Sequence, residues 1–243
     1  MTTTGGAAGA GESLGAGKAP QATWPAAVVR EHVLRLLDAG AADPSGTVPI
    51  VQAGHPALRM RAVPFDGQVG DDELAALVAL MRRTMHAAPG VGLAAPQIGL
   101  PLAVAVLADP GAGETETGRV RERPALPFRV LVNPAYGPVP GEEPERVSFY
   151  EGCLSVVGYQ AVVPRLRRLR LTGLDETGAP LDEVVQGWPA RIVQHETDHL
   201  DGTLYLDRAQ PRSLSATDEL GAHWATEPRP TEAARTLGFP LEG

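Results

Sequence analysis

Apolar side chains first fall into a helical rhythm at Val28, Val29, Val33, Leu34, Leu36 and Leu37, which predicts a helix over 24–39 that Gly40 stops. A short apolar run at 48–51 predicts a strand. Asp71, Asp72 and Glu73 then place three carboxylates where a helix N-terminus favours anions, and the helix they open runs over 74–88. Apolar runs bounded by turn residues predict strands at 102–107, 128–132 and 146–149. The segments 168–174 and 180–185, joined by Asp175-Glu176-Thr177-Gly178, read as a hairpin. A last helix starts near Trp188 and ends by Gly202, a residue suited to a helix C-terminus. The pattern thus predicts an α+β fold, with antiparallel β-sheets packed around the 188–202 helix and one or two additional helices.

Three segments stand outside that rhythm. Residues 1–23 contain almost no bulky apolar side chain, so a disordered N-terminal tail is expected. The stretch 109–127 is polar and rich in Gly, Pro and charge, the composition of an exposed insertion. Pro211, Pro228, Pro230 and Pro240 forbid a long helix in residues 211–243, which read as an irregular extension. The organisation expected is a single catalytic domain over 24–210 between these two ends.

Composition narrows the function classes. The 243 residues carry a formal charge of −8, which argues against a DNA-coating role because phosphate binding needs clustered cations. Hydrophobic residues make up 43% of the chain, yet no run reaches the roughly 18 apolar residues of a membrane span. One cysteine rules out an internal disulfide framework and, with no secretion signal, fits a cytoplasmic protein.

Candidate chemistry concentrates in His195-Glu196-Thr197-Asp198-His199. On a helix, positions i and i+4 share a face, so both imidazoles can reach one metal ion. Glu196 beside the first ligand is placed to take a proton from a metal-bound water. Composition alone would give about 0.01 such patterns in a chain of this length. A catalytic metal of this kind usually has three protein ligands, and the third separates reaction classes. Tyr205 occupies the position where one protease pattern has a third histidine. Glu219, twenty residues after His199, would suit a metallopeptidase, although a solvated acid near a helix start is the simpler reading. Cys153, next to Gly152, would complete a thiolate-imidazole-imidazole set with one tetrahedral position open.

Three segments in order resemble the signature motifs of the peptide deformylase family: Gly90-Val91-Gly92-Leu93-Ala94-Ala95-Pro96-Gln97, Glu151-Gly152-Cys153-Leu154-Ser155, and Gln194-His195-Glu196-Thr197-Asp198-His199. The similarity spans about residues 50–207. The resemblance implies a hydrolase that removes the N-formyl group from the formylmethionine of nascent polypeptides and releases formate. It implies Cys153, His195 and His199 as metal ligands, Glu196 as general acid/base for a metal-bound water, and Gln97 with the Leu154 amide as oxyanion donors. One divalent ion is implied, Fe²⁺ first, with Zn²⁺, Ni²⁺ or Co²⁺ able to occupy the site. The partners implied are N-formylmethionyl nascent peptides and the ribosome near its exit tunnel.

Around this set, Gly90 and Gly92 suit a segment that backbone must approach closely. Val91, Phe149, Trp188 and Ile192 are candidates for an apolar methionine pocket; Trp188 and Ile192 lie four apart on the helix that carries His195. Glu151 is expected to pair with Arg165 beneath the site. The chain departs from the family where Gln160 stands in place of a frequent arginine. Residues 211–243, with three Arg against five acids, also lack the basic helix by which some members dock on ribosomes.

Overall fold

A computed structural model describes residues 19–243. The helices are α1 (Ala26–Ala42), α2 (Asp71–Ala87), α3 (Glu116–Val120), α4 (Gly187–Leu200), α5 (Thr217–His223) and α6 (Thr231–Leu237). The strands are β1 (Gly92–Ala94), β2 (Val104–Asp109), β3 (Leu126–Gly137), β4 (Arg146–Cys153), β5 (Val156–Leu166), β6 (Arg168–Leu174), β7 (Pro180–Gln186) and β8 (Ser215–Ala216). They form a five-stranded sheet of order β1-β2-β3-β6-β7 and a three-stranded sheet of order β4-β5-β8, antiparallel throughout. The architecture is mixed α/β, with five helices besides α4 among the described residues rather than the one or two anticipated.

Alternation along the strands explains the layering. Val130 and Val132 of β3 face α1 and α2, joining Val29, Val33, Leu77 and Met81 in one core, while Leu131 between them faces α4 with Leu169, Leu171 and Ile192. Helix α4 touches β1, β2, β3, β6 and β7 of the large sheet and β5 of the small one. Burying a helix on so many sides explains why eleven of its fourteen residues are buried, polar ones included. No helix among the described residues is long and apolar enough to cross a membrane.

Several expectations need correction. Residues 48–51 form no strand: the Val51 N–H donates to the Gln97 carbonyl at 2.8 Å, and a helical turn at 95–98 offers no ladder to extend. Strand β3 continues past 132 because Asn133, at φ 50°, and Pro134 form a bulge rather than an end. Strand β5 was not anticipated, since Gly158 and Pro164 mask its β-branched residues.

The ends and the insertion are more ordered than composition suggests. Most of the expected tail, residues 1–18, lies outside the described residues. Gln21, however, forms a parallel bridge with Arg61, and Ala22 is buried. There backbone hydrogen bonds fix a segment that has few side chains to bury, with Ala22 N–H to Arg61 O at 2.9 Å and Arg61 N–H to Pro20 O at 2.8 Å. The 109–127 segment is folded onto the start of α4, not freely exposed. Buried Asp109 holds Arg123 through two bonds of 2.8 and 3.0 Å, and the Trp188 N–H donates to Glu122 O at 3.0 Å. Beyond residue 210, β8 pairs with β5, and Ala233, Ala234 and Phe239 bury against Tyr150 and Val162.

Candidate metal centre

The β4–β5 hairpin and α4 bring three donors together. In β4, Cys153 pairs with Val156, so Leu154-Ser155 is a two-residue turn that presents the thiol at the sheet's end. One helical turn separates His195 from His199, and their rings lie 5.0 Å apart. The donor atoms of Cys153, His195 and His199 all lie within 4.8 Å of one another, with Cys153 Sγ 3.2 Å from His199 Nε2.

Glu151 fixes this set from beneath. Its carboxylate accepts from Arg165 at 3.0 Å through both oxygens, from Arg191 at 2.5 Å and from His195 Nδ1 at 3.1 Å. Burial alone would raise this carboxyl, but Arg165 and Arg191 hold it well below the usual carboxylate range. With Nδ1 bonded to Glu151, the other nitrogen of His195 is left to face the thiol, the usual second support of a ligating histidine. Burial pulls His195 down, yet its bonds to the Cys153 sulfur and to Glu151 outweigh burial and raise it well above the ordinary imidazole value. One sulfur and two imidazole nitrogens converging within 4.8 Å are a donor set that fits a divalent ion.

Glu196 is buried against the same centre, and its Oε2 has no hydrogen-bond partner among the described residues. Burial pushes its carboxyl up to about 7. The side chain occupies space that residue 92 leaves free: a Cβ on Gly92 would lie 2.1 Å from Glu196 Oε1. Gly90 likewise makes room for Leu154, whose Cδ1 would be 2.6 Å from an added Cβ. Both glycines thus admit side chains of the centre, whereas the sequence suggested an approach of peptide backbone. Gln97 is buried with its orientation set. Its Oε1 accepts the Ala94 N–H at 2.8 Å, which turns Nε2 toward Cys153 Sγ at 3.7 Å and Ser155 Oγ at 3.4 Å.

A groove of about 760 Å³ opens over these groups. Gly90, Val91, Gly92, Leu154, Trp188 and Ile192 line it together with Gln97, Cys153, His195 and Glu196. Phe149 does not: it lies behind Trp188, at 5.9 Å between ring centroids, and lines a separate cavity. Glu219 is exposed on α5, 3.3 Å from His223, and is not part of the donor cluster. The Tyr205 hydroxyl donates to Tyr159 O at 3.0 Å, so that phenol is committed elsewhere.

Residues 47–215 match the family model described as Polypeptide deformylase. The chain is also 58% identical over 196 residues to "Peptide deformylase 3" of Streptomyces avermitilis, covering 81% of this chain and 86% of that one. The chain belongs to the peptide deformylase family. "Peptide deformylase 1" of Streptomyces coelicolor is 54% identical over 213 residues, 88% of this chain and 94% of the relative. Among solved structures, a class I type b peptide deformylase from Acinetobacter baumannii bound to Met-Ala-Ser is 32% identical. It has a TM-score of 0.56 and covers 67% of this chain and 98% of that one. As a deformylase, the chain is a hydrolase of a metal-dependent family.

Within this deformylase, sequence reasoning found the Glu151–Arg165 pair but missed the charges that extend it. Arg191 donates to Glu151 and to the Val163 carbonyl at 2.9 Å. Asp198 accepts from Arg165, from Arg208 at 2.7 and 2.9 Å and from the Tyr136 hydroxyl at 2.8 Å. A signal existed for Arg191: it precedes His195 by four residues, which puts a cation on the buried stripe of the helix.

Proposed function

We propose that this chain removes the formyl group from N-formylmethionyl nascent peptides, with α4 as a central metal-binding helix and Cys153, His195 and His199 holding one divalent ion. The observation that carries the reading is the meeting of a sulfur-and-two-imidazole donor set with a buried, unpartnered Glu196 oxygen and an oriented Gln97 amide. A thiolate and two imidazoles suit Fe²⁺, and Zn²⁺, Ni²⁺ or Co²⁺ fit the same donors. Such an ion supplies Lewis acidity and brings the proton loss of water toward neutral pH.

The protein's own groups do the rest. Glu196, buried beside the donors with one carboxylate oxygen unpartnered, accepts a proton from the attacking water and passes it to the amine that leaves as the C–N bond breaks. Water adds to the formyl carbon, so the products are formate and a free amino terminus. The Gln97 amide and the Leu154 N–H donate to the formyl oxygen as it gains negative charge, each worth about 3 kcal/mol of barrier. Gln97 suits this role because its orientation is fixed before substrate arrives. Val91, Trp188 and Ile192 supply apolar surface for the methionine side chain, and Gly90 and Gly92 border the groove where the peptide lies. Substrates of this kind place the enzyme in the cytoplasm, near the ribosomal exit tunnel. A Glu219-type metallopeptidase is not supported, because Glu219 faces solvent beside His223.

Two substitutions test the assignment through metal analysis and formate release. Glu196→Ala is expected to keep about one metal ion per chain and lose about 10²–10⁴-fold in kcat, the worth of a proton-transfer group. Cys153→Ser is expected to lose both metal and activity, and Glu219→Gln neither. Full activity in Cys153→Ser would overturn the ligand set.

A further inference from the structure

The insertion and the C-terminal extension meet at Arg121, and neither is needed to build the metal centre. Arg121 follows α3, and its Nε donates to the carbonyl of Pro228, between α5 and α6, at 3.3 Å. Its guanidinium lies 5.1 Å from the Trp188 ring centroid and 5.7 Å from that of Phe149. From there it lines both the groove over the metal ligands and a neighbouring cavity of about 310 Å³.

The charge in that corner is unbalanced. Five arginines line the smaller cavity: Arg119, Arg121, Arg167, Arg191 and Arg229. Its two carboxylates, Glu122 and Glu145, are both taken by Arg167, and Arg191 is taken by Glu151. Arg119 and Arg121 form no ion pair among the described residues and donate only to backbone carbonyls there, whereas Arg229 donates to the carboxyl oxygen of the last residue, Gly243, at 2.6 Å. Arg121 is half-buried, and burial, followed by the nearby Arg123, pushes its guanidinium below the usual arginine value. A cation partly removed from water without a counterion is costly, and two aromatic faces compensate only part of that cost. The position therefore favours an incoming anion, in a chain whose net charge is −8.

We propose that Arg121, held between the insertion and the C-terminal extension at the end of the groove, binds a carboxylate of the substrate peptide close behind its formylmethionine. The inference rests on the deformylase reading and deepens it by naming a preferred class of substrate. The chemistry of the substrate agrees: a formylated terminus carries no ammonium group, so the arginines do not repel it, and its remaining anions are acidic side chains and the C-terminus. The distance agrees as well. Trp188 precedes His195 by seven residues, about 10 Å along a helix. A peptide that seats its methionine side chain against Trp188 brings the side chains next to it within reach of a guanidinium 5.1 Å from that ring. Arg121 acts here as a specificity-determining residue, outside the reacting atoms.

The test compares kcat/KM for C-terminally amidated formyl-Met peptides that carry Glu or Gln at the second, third or fourth position. Free-acid Gln peptides separate a side-chain carboxylate from a terminal one. The holoenzyme is expected to favour Glu over Gln by about five- to tenfold at one or more positions, the worth of one partly desolvated charge-assisted bond. That ratio is expected to fall close to one in Arg121→Gln and to be partly retained in Arg121→Lys, whatever the variants' absolute rates. A preference seen only with free-acid peptides assigns the site to the C-terminal carboxylate. Equal rates on Glu and Gln peptides, amidated or free, by an enzyme that releases formate from both overturn this inference and leave the deformylase reading intact. A preference that survives Arg121→Gln overturns the choice of residue. No formate from any peptide overturns both readings.

Discussion

Glu196 reaches the Cys153, His195 and His199 cluster only because residue 92 has no side chain, and this contact shows how size, rather than backbone freedom, can require a glycine. With a Cβ 2.1 Å from Glu196 Oε1, Gly92→Ala must push the carboxylate away from the donors. We expect that variant to bind metal normally and to lose about 10²-fold or more in kcat/KM, the scale at which a small displacement of a catalytic group acts. Unaltered kcat/KM would show that the contact is relieved at no cost. At this scale the sequence was informative wherever chemistry demanded a rare residue pattern. The spacing of His195, Glu196 and His199 was readable from the order of residues alone. The neighbourhood of Phe149 was not, because an apolar residue on a strand gives no sign of which side of Trp188 it will occupy.

Helix α4 joins the centre to the rest of the fold through charges that it buries. Arg165 bridges Glu151 on β4 and Asp198 on α4, and all three side chains are nearly inaccessible. Removing one member of such a network leaves the others buried and unpaired, which costs more than the pair itself contributed. Arg165→Ala is therefore expected to lower unfolding stability by about 3–5 kcal/mol in urea denaturation. A loss below about 1 kcal/mol would mean that water or Arg208 takes over. The Glu151–Arg165 pair was legible because both residues flank recognisable motifs. Asp198 was not, since an acid inside a metal-binding helix reads equally well as a solvated position. Elements with clear periodicity, such as α1, α2 and the β6–β7 hairpin, were likewise readable. Segment 48–51 and β5 were misread for a common reason: whether an apolar run becomes a strand depends on a partner supplied from elsewhere in the chain.

Across the whole molecule, the parts without apolar rhythm gained their order from contacts that composition does not encode. Residues 19–22 are tied by backbone bonds to Arg61, the insertion docks through Asp109 and Glu122, and the C-terminal extension covers Tyr150 and Val162. The insertion and the extension meet at Arg121, which lines the groove over Cys153, His195 and Glu196. The centre itself supports a single reaction most directly: hydrolysis of a formyl amide at a peptide N-terminus. The decisive measurement is formate release by the anaerobically purified, metal-loaded chain from formyl-Met-Ala-Ser, with unformylated Met-Ala-Ser as control. We expect stoichiometric formate and a free methionine amino group from the first peptide, and no change in the second. Cleavage of the Met–Ala bond, or no formate from a fully metal-loaded chain, would contradict the deformylase reading.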